Sequence, residues 1–101
     1  MQKQIDLSLV VPCYNESEVI EKFFSVMFSK ENLLGLGLNC EIIFINDGSK
    51  DNTLELLCSC KERYQSISNI DVRIVNLSRN FGKEAALSAG FSVARGGDNT
   101  Y

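Results

Sequence analysis

Three short polar runs hold the side chains best suited to chemistry: Pro12-Cys13-Tyr14-Asn15-Glu16, Asn46-Asp47-Gly48-Ser49-Lys50-Asp51 and Ser78-Arg79-Asn80-Phe81-Gly82-Lys83. Between them they offer an aromatic ring, carboxylates able to accept from a base N–H or a ribose hydroxyl, and cations suited to phosphate. That inventory matches a nucleotide. Each run also has a plainer reading, because helix caps and turns select the same residue types: Asn15 and Glu18 can cap a helix, Asp47 to Asp51 can form an ordinary turn, and Lys83 can be a solvated charge. Three such runs on one edge of a sheet favour a site.

Two familiar phosphate schemes do not fit. Gly82-Lys83 lacks the upstream glycine of a P-loop, and Glu84 stands where Ser or Thr would hold magnesium. Gly35-Leu36-Gly37 follows a helical pattern rather than a strand, and the third glycine position is Cys40, so it is not a dinucleotide fingerprint.

Each run follows an apolar segment that reads as a strand. Ile5 to Val11 is a short apolar run ending at Pro12; Cys40 to Ile45 is β-branched and aromatic; Val72 to Leu77 is the third. Helical spacing fills the intervals. Asn15 precedes Glu18 by three, close to a capping box, and Val19, Ile20, Phe23, Phe24, Met27 and Phe28 form one apolar face of a helix from about Ser17 to Phe28. Asn32 to Asn39 is a loop. Leu54, Leu57 and Cys58 mark the buried stripe of a second helix fading near Tyr64. Ala86, Leu87, Gly90, Phe91 and Ala94 mark a third, which runs to about Ala94 and stops at Gly96 and Gly97. Strand and helix alternate three times, which implies parallel strands joined by right-handed crossovers: an α/β, three-layer, Rossmann-like sheet with helices on both faces. Ligands bind such sheets beyond the carboxyl ends of the strands, where the three polar runs lie.

Composition narrows the classes. The chain has 101 residues, 45% apolar, with a net charge of −3 and no basic cluster, so nucleic acid is not an expected partner. Cys13, Cys40, Cys58 and Cys60 match neither a zinc site nor a redox pair, and His is absent, which leaves reduced, mostly buried thiols; packing is the expected role of Cys13 and Cys58. The polar start, Met1 to Asp6, is unlike a signal peptide and points to the cytosol, and no apolar run approaches membrane-spanning length.

The runs in their order carry a specific resemblance. Val10-Val11-Pro12-Cys13-Tyr14-Asn15-Glu16 is similar to the opening strand and loop of family 2 glycosyltransferases, Ile45 to Thr53 resembles their second-strand signature, and Ser78 to Ala86 resembles their third, nearest the branch that transfers sugars to polyprenyl phosphates. The resemblance implies the GT-A nucleotide-diphospho-sugar fold. It implies that Pro12, Tyr14 and Glu16 line a nucleoside pocket, that Asp47 accepts from the base with Gly48 and Ser49 beside it, and that Arg79, Asn80 and Lys83 lie along the nucleotide, where Lys83 or Arg79 neutralises diphosphate. It implies a donor such as UDP-glucose, a polyprenyl phosphate or other glycan acceptor, and, in the whole enzyme, Mg2+ or Mn2+ and attachment to the cytoplasmic face of a membrane.

The family holds its metal through an Asp-x-Asp motif on a fourth strand, and no Asp-x-Asp occurs here. Residues 1–101 are therefore expected to be the N-terminal, nucleotide-sugar-binding part of one glycosyltransferase domain, with no catalytic residue and no metal ligand of its own. A nucleotide-binding or interaction module without chemistry is the rival. A receiver-like domain fits less well, since Glu16 and Glu18 make a poor acidic cluster. In a sheet whose order begins 3-2-1-4, a missing fourth strand would leave Ile5 to Val11 as an open edge prone to self-association.

Overall fold

The computed structural model describes residues 4–29, 31–65 and 70–95, without the side chains of residues 33 and 34. Three strands, β1 (Leu7–Cys13), β2 (Cys40–Asp47) and β3 (Asp71–Leu77), alternate with helices α1 (Ile20–Met27), α2 (Thr53–Gln65) and α3 (Lys83–Val93). The strands are parallel in the order β1-β2-β3, in a register that aligns Cys13, Asn46 and Asn76 at the carboxyl ends. This is the layered α/β sheet that the alternation implies.

All eight residues of β2 are buried, because helices cover both faces of the central strand. Ile42 and Phe44 face α1 and α2, where the Phe24 ring stacks on Phe44 with 4.8 Å between centroids and also on Tyr64. Ile43 and Ile45 face α3, together with Ala86. Gly90 lets α3 lie close on the sheet: a Cβ there would meet Val10 Cγ1 at 2.3 Å.

Several boundaries differ from the sequence expectation. β1 runs through Pro12 to Cys13 instead of stopping at the proline; it pairs with β2 on one side and, among the described residues, with no strand on the other, and an edge strand tolerates a residue without an N–H. α1 begins at Ile20, not Ser17, because Asn15 does not cap it; the preceding residues make contacts to the β2–α2 loop instead. In α2 the buried positions are Thr53, Leu57 and Cys60, so Cys58, expected in the stripe, points to solvent. In α3 Ala86 and Gly90 are buried and Phe91 is 41% exposed, since the small residues form the contact. The expected stop at Gly96 and Gly97 lies outside the described residues. Residues 32–39 form a loop around a short 3-10 turn, Leu33–Leu36. No helix of the described residues is long and apolar enough to cross a membrane.

Candidate nucleotide site at the carboxyl ends of the strands

The three loops beyond the strands are tied to one another, with the β2–α2 loop at the centre. Asp47, the last residue of β2, is 3% exposed. Its Oδ1 accepts from the Phe81 amide at 2.8 Å, and its Oδ2 accepts from the Gly82 amide at 3.0 Å and from Asn80 Nδ2 at 3.1 Å. Asn80 Nδ2 also donates to the Asp47 carbonyl at 3.1 Å. Gly48 completes the clamp: it has φ 66°, and a Cβ on it would lie 2.2 Å from the Arg79 carbonyl carbon. Only glycine permits the β3–α3 loop to pass that close.

The β1–α1 loop docks on the other side of the same segment. The Asn15 amide donates to Ser49 Oγ at 2.9 Å, and Asn15 Oδ1 accepts from the Lys50 amide at 2.8 Å. Asn15 takes φ 53°, a left-handed turn that Asn adopts more readily than most residues. The Glu16 amide donates to Thr53 Oγ1 at 2.9 Å and the Ser17 amide to Asp51 Oδ2 at 3.3 Å. Asp51 in turn accepts from the Thr53 amide and hydroxyl. Hydrogen bonding by Thr53, reinforced by Ser17 and opposed by some loss of hydration, holds the Asp51 carboxyl down at about 2.

Between these loops lies an open cleft of about 440 Å³. It brings together six of the nine residues singled out in the sequence, Pro12, Tyr14, Glu16, Asp47, Asn80 and Lys83, and adds Cys13 and Gly82. Tyr14 is 42% exposed, so its ring is open to a partner. The other three stand outside the lining with partners of their own: Gly48 against the Arg79–Asn80 backbone, Ser49 under Asn15, and Arg79 with its guanidinium 4.9 Å from the Phe81 ring centroid. Burial, with Glu16 adding repulsion, pushes the Cys13 thiol up to about 12, so it lines the cleft as a neutral, weakly polar wall. Sequence reasoning missed Asn15 and Thr53 as the ties between loops. The Asp51-x-Thr53 spacing at a helix start was a signal for the second.

The cleft has an aromatic face, two carboxylates and one cation, a set that can stack on a base, accept from its N–H groups or from ribose hydroxyls, and attract phosphate. Among the described residues no group of three or more His, Cys, Asp or Glu side chains is placed to hold a metal ion.

Comparison with known proteins matches residues 8–97 to the model of Glycosyl transferase family 2. An uncharacterized glycosyltransferase of Synechocystis sp. is 52% identical over 92 residues, covering 91% of this chain and 27% of the relative. A prophage bactoprenol glucosyl transferase homolog of Escherichia coli is 41% identical over 90 residues, covering 89% and 27%. The chain thus spans about a quarter of the length of these relatives. Among solved structures, a mannosyltransferase from Pyrobaculum calidifontis in complex with GDP-Man and Mn2+ superposes with a TM-score of 0.75 at 19% identity, over 92% of this chain and 25% of that one. Staphylococcus aureus TarS in complex with UDP gives 0.68 at 21% identity, over 91% and 25%. The likeness establishes the fold, three parallel strands with helices on both sides, as that of GT-A glycosyltransferases.

Proposed function

Because the chain belongs to Glycosyl transferase family 2, we propose that residues 1–101 are the donor-recognition part of an enzyme that moves a sugar from a nucleotide diphosphate to a polyprenyl phosphate. UDP-glucose is the donor we favour, supported by relatives named bactoprenol glucosyl transferase at 40–41% identity. The observation that carries the reading is the cleft at the carboxyl ends of the strands, where Tyr14 and Glu16 from the β1–α1 loop, Asp47 from the end of β2 and Lys83 from the start of α3 converge. Tyr14 stacks on the base, Asp47 accepts from it, Glu16 accepts from a ribose hydroxyl, and Lys83 meets the diphosphate. A polyprenyl phosphate acceptor would place the whole enzyme at the cytoplasmic face of a membrane.

Calorimetric titration of the purified chain with UDP and GDP tests the reading. Saturable binding of UDP is expected, with no transfer of labelled glucose to a short polyprenyl phosphate, since binding without added transition-state stabilisation does not accelerate a reaction. A chain that binds neither nucleotide overturns the assignment of the cleft.

We also propose that the chain associates with itself through β1, whose outer edge has no strand partner among the described residues. Sedimentation should show species larger than one chain. A monomer that persists at high concentration would argue against it.

A further inference from the structure

We propose that Thr53, which lies outside the cleft, is a positioning residue for the nucleoside half of the ligand: its hydroxyl holds the Glu16 backbone and thereby sets Tyr14 and Glu16 at the cleft. The inference rests on the reading of the cleft as a nucleotide site. Thr53 is the first residue of α2 and is fully buried. Its hydroxyl has a single proton and donates it to Asp51 Oδ1, an acceptor that cannot donate while ionised, and Asp51 stays ionised down to about pH 2. The orientation of the hydroxyl is therefore fixed, and a lone pair is left facing the Glu16 amide 2.9 Å away.

Four hydrogen bonds tie the β1–α1 loop to the β2–α2 segment, and they differ in exposure. Those joining Asn15 to Ser49, Lys50 to Asn15 and Ser17 to Asp51 are exposed, where water competes for the same groups. The bond to Thr53 is partly buried and begins on a regular helix. It also lies between Tyr14 and α1, whose first cap carries no side-chain hydrogen bond to fix the loop from the far side. The phosphate side of the cleft is built separately: Asn80, Phe81 and Gly82 hang on Asp47, with no contact to Thr53 in these bonds. Loss of the Thr53 hydroxyl should loosen one side of the cleft and leave the other in place.

The experiment compares Thr53→Val, which keeps the shape and removes the hydroxyl, with Thr53→Ser, which keeps the hydroxyl. Both are titrated with UDP and with inorganic pyrophosphate, and exchange of the Glu16 amide is followed by NMR. Thr53→Val should bind UDP about tenfold more weakly, as loss of one such hydrogen bond implies, with pyrophosphate affinity unchanged and the Glu16 amide exchanging faster. Thr53→Ser should restore both UDP affinity and amide protection. Equal UDP affinity in wild type and Thr53→Val, or an equal loss for UDP and pyrophosphate, overturns the inference alone. A wild-type chain that binds no UDP overturns the reading of the cleft and this inference together. Should Thr53→Val fail to fold, wild-type exchange decides: a Glu16 amide as protected as those inside α2 supports the role, and one exchanging at the rate of an open loop overturns it.

Discussion

β2 carries a buried carboxylate near each end, Glu41 and Asp47, six residues apart and so on the same side of the sheet, and each holds one end of α3. Asp47 receives the chain as it enters the helix, through the Phe81 and Gly82 amides and the Asn80 side chain. Glu41 receives it as it leaves: the Arg95 amide donates to Oε2 at 2.6 Å, Arg95 Nε and Arg73 Nη1 to Oε1 at 3.0 and 3.1 Å, and Ser8 Oγ to Oε2 at 2.6 Å. Arg95 also pairs with Asp71, and Arg73 donates to the Val93 carbonyl. At the amino end, then, two guanidinium groups neutralise the buried charge; at the carboxyl end every observed donor to Asp47 is a neutral amide. Neutral donors organise a loop without cancelling the charge. On the proposed reading of the cleft, that difference would leave one strand closed at one end and able to attract a donor group at the other.

The largest expected effect falls on the charge-paired end. Burial alone would push the Glu41 carboxyl up, but the hydrogen bonds from Ser8, Arg95 and Arg73 bring it below its ordinary value, so the folded chain holds it ionised. Glu41→Gln should cost about 3 kcal/mol in urea unfolding, at the low end of the range for breaking a buried pair because both arginines are partly open to water. UDP affinity of the folded fraction should be unchanged. A stability loss below about 1 kcal/mol would mean that the cations there are satisfied by solvent, and the contrast between the two ends would lose its basis.

Asp47→Asn comes next. One face of the new amide would point N–H at an N–H, so the clamp loses at least one partner, and about 1.5–3 kcal/mol is expected, the range for hydrogen bonds to a charged group. Here affinity should fall as well, by an order of magnitude or more for UDP. Destabilisation with UDP affinity intact would make Asp47 a clamp only, and both carboxylates of β2 would then be structural.

Much of this architecture was legible in the sequence, and the parts that were not share a cause. Largely apolar runs of six or seven residues mark the strands, most clearly β2, because a parallel strand covered on both faces has little polar side to show. The identity of three loops and six of the cleft-lining residues follows from their position after those strands. Asn15 read as a cap because caps and long-range ties use the same short polar side chains, and local spacing cannot reveal that its partner is Lys50, 35 residues away. Cys58 read as buried because helical periodicity gives a face but not which edge of it meets the sheet. Glu41 was hidden inside an apolar strand: its partners, Arg73 and Arg95, come from 32 and 54 residues further on.

The smallest effect concerns pH and asks whether the carboxyl end is as firmly built as its hydrogen bonds suggest. Asp51 is exposed, yet the Thr53 hydroxyl and amide and the Ser17 amide all donate to it, and its folded value lies at about 2 against about 3.9 for a free aspartate. The folded value is the lower one, so the stabilisation is fully present above about pH 4 and is lost as pH falls through about 2, where the folded carboxylate is protonated too. At neutral pH the loops around the cleft should therefore be insensitive to Asp51 titration. Following the Asp51 carboxyl carbon by NMR between pH 1.5 and 6, a window set on the order of these two values, should give a midpoint near the lower end. Thr53→Val, by deleting the hydroxyl that contributes most, should move that midpoint up toward the free value while the Ser17 bond holds it short of complete reversion. A wild-type midpoint at the free value would show that water has replaced Thr53 and Ser17 as donors. The β1–α1 loop would then be tied to the β2–α2 segment only through Asn15 and the Glu16 amide, without the Ser17 bond.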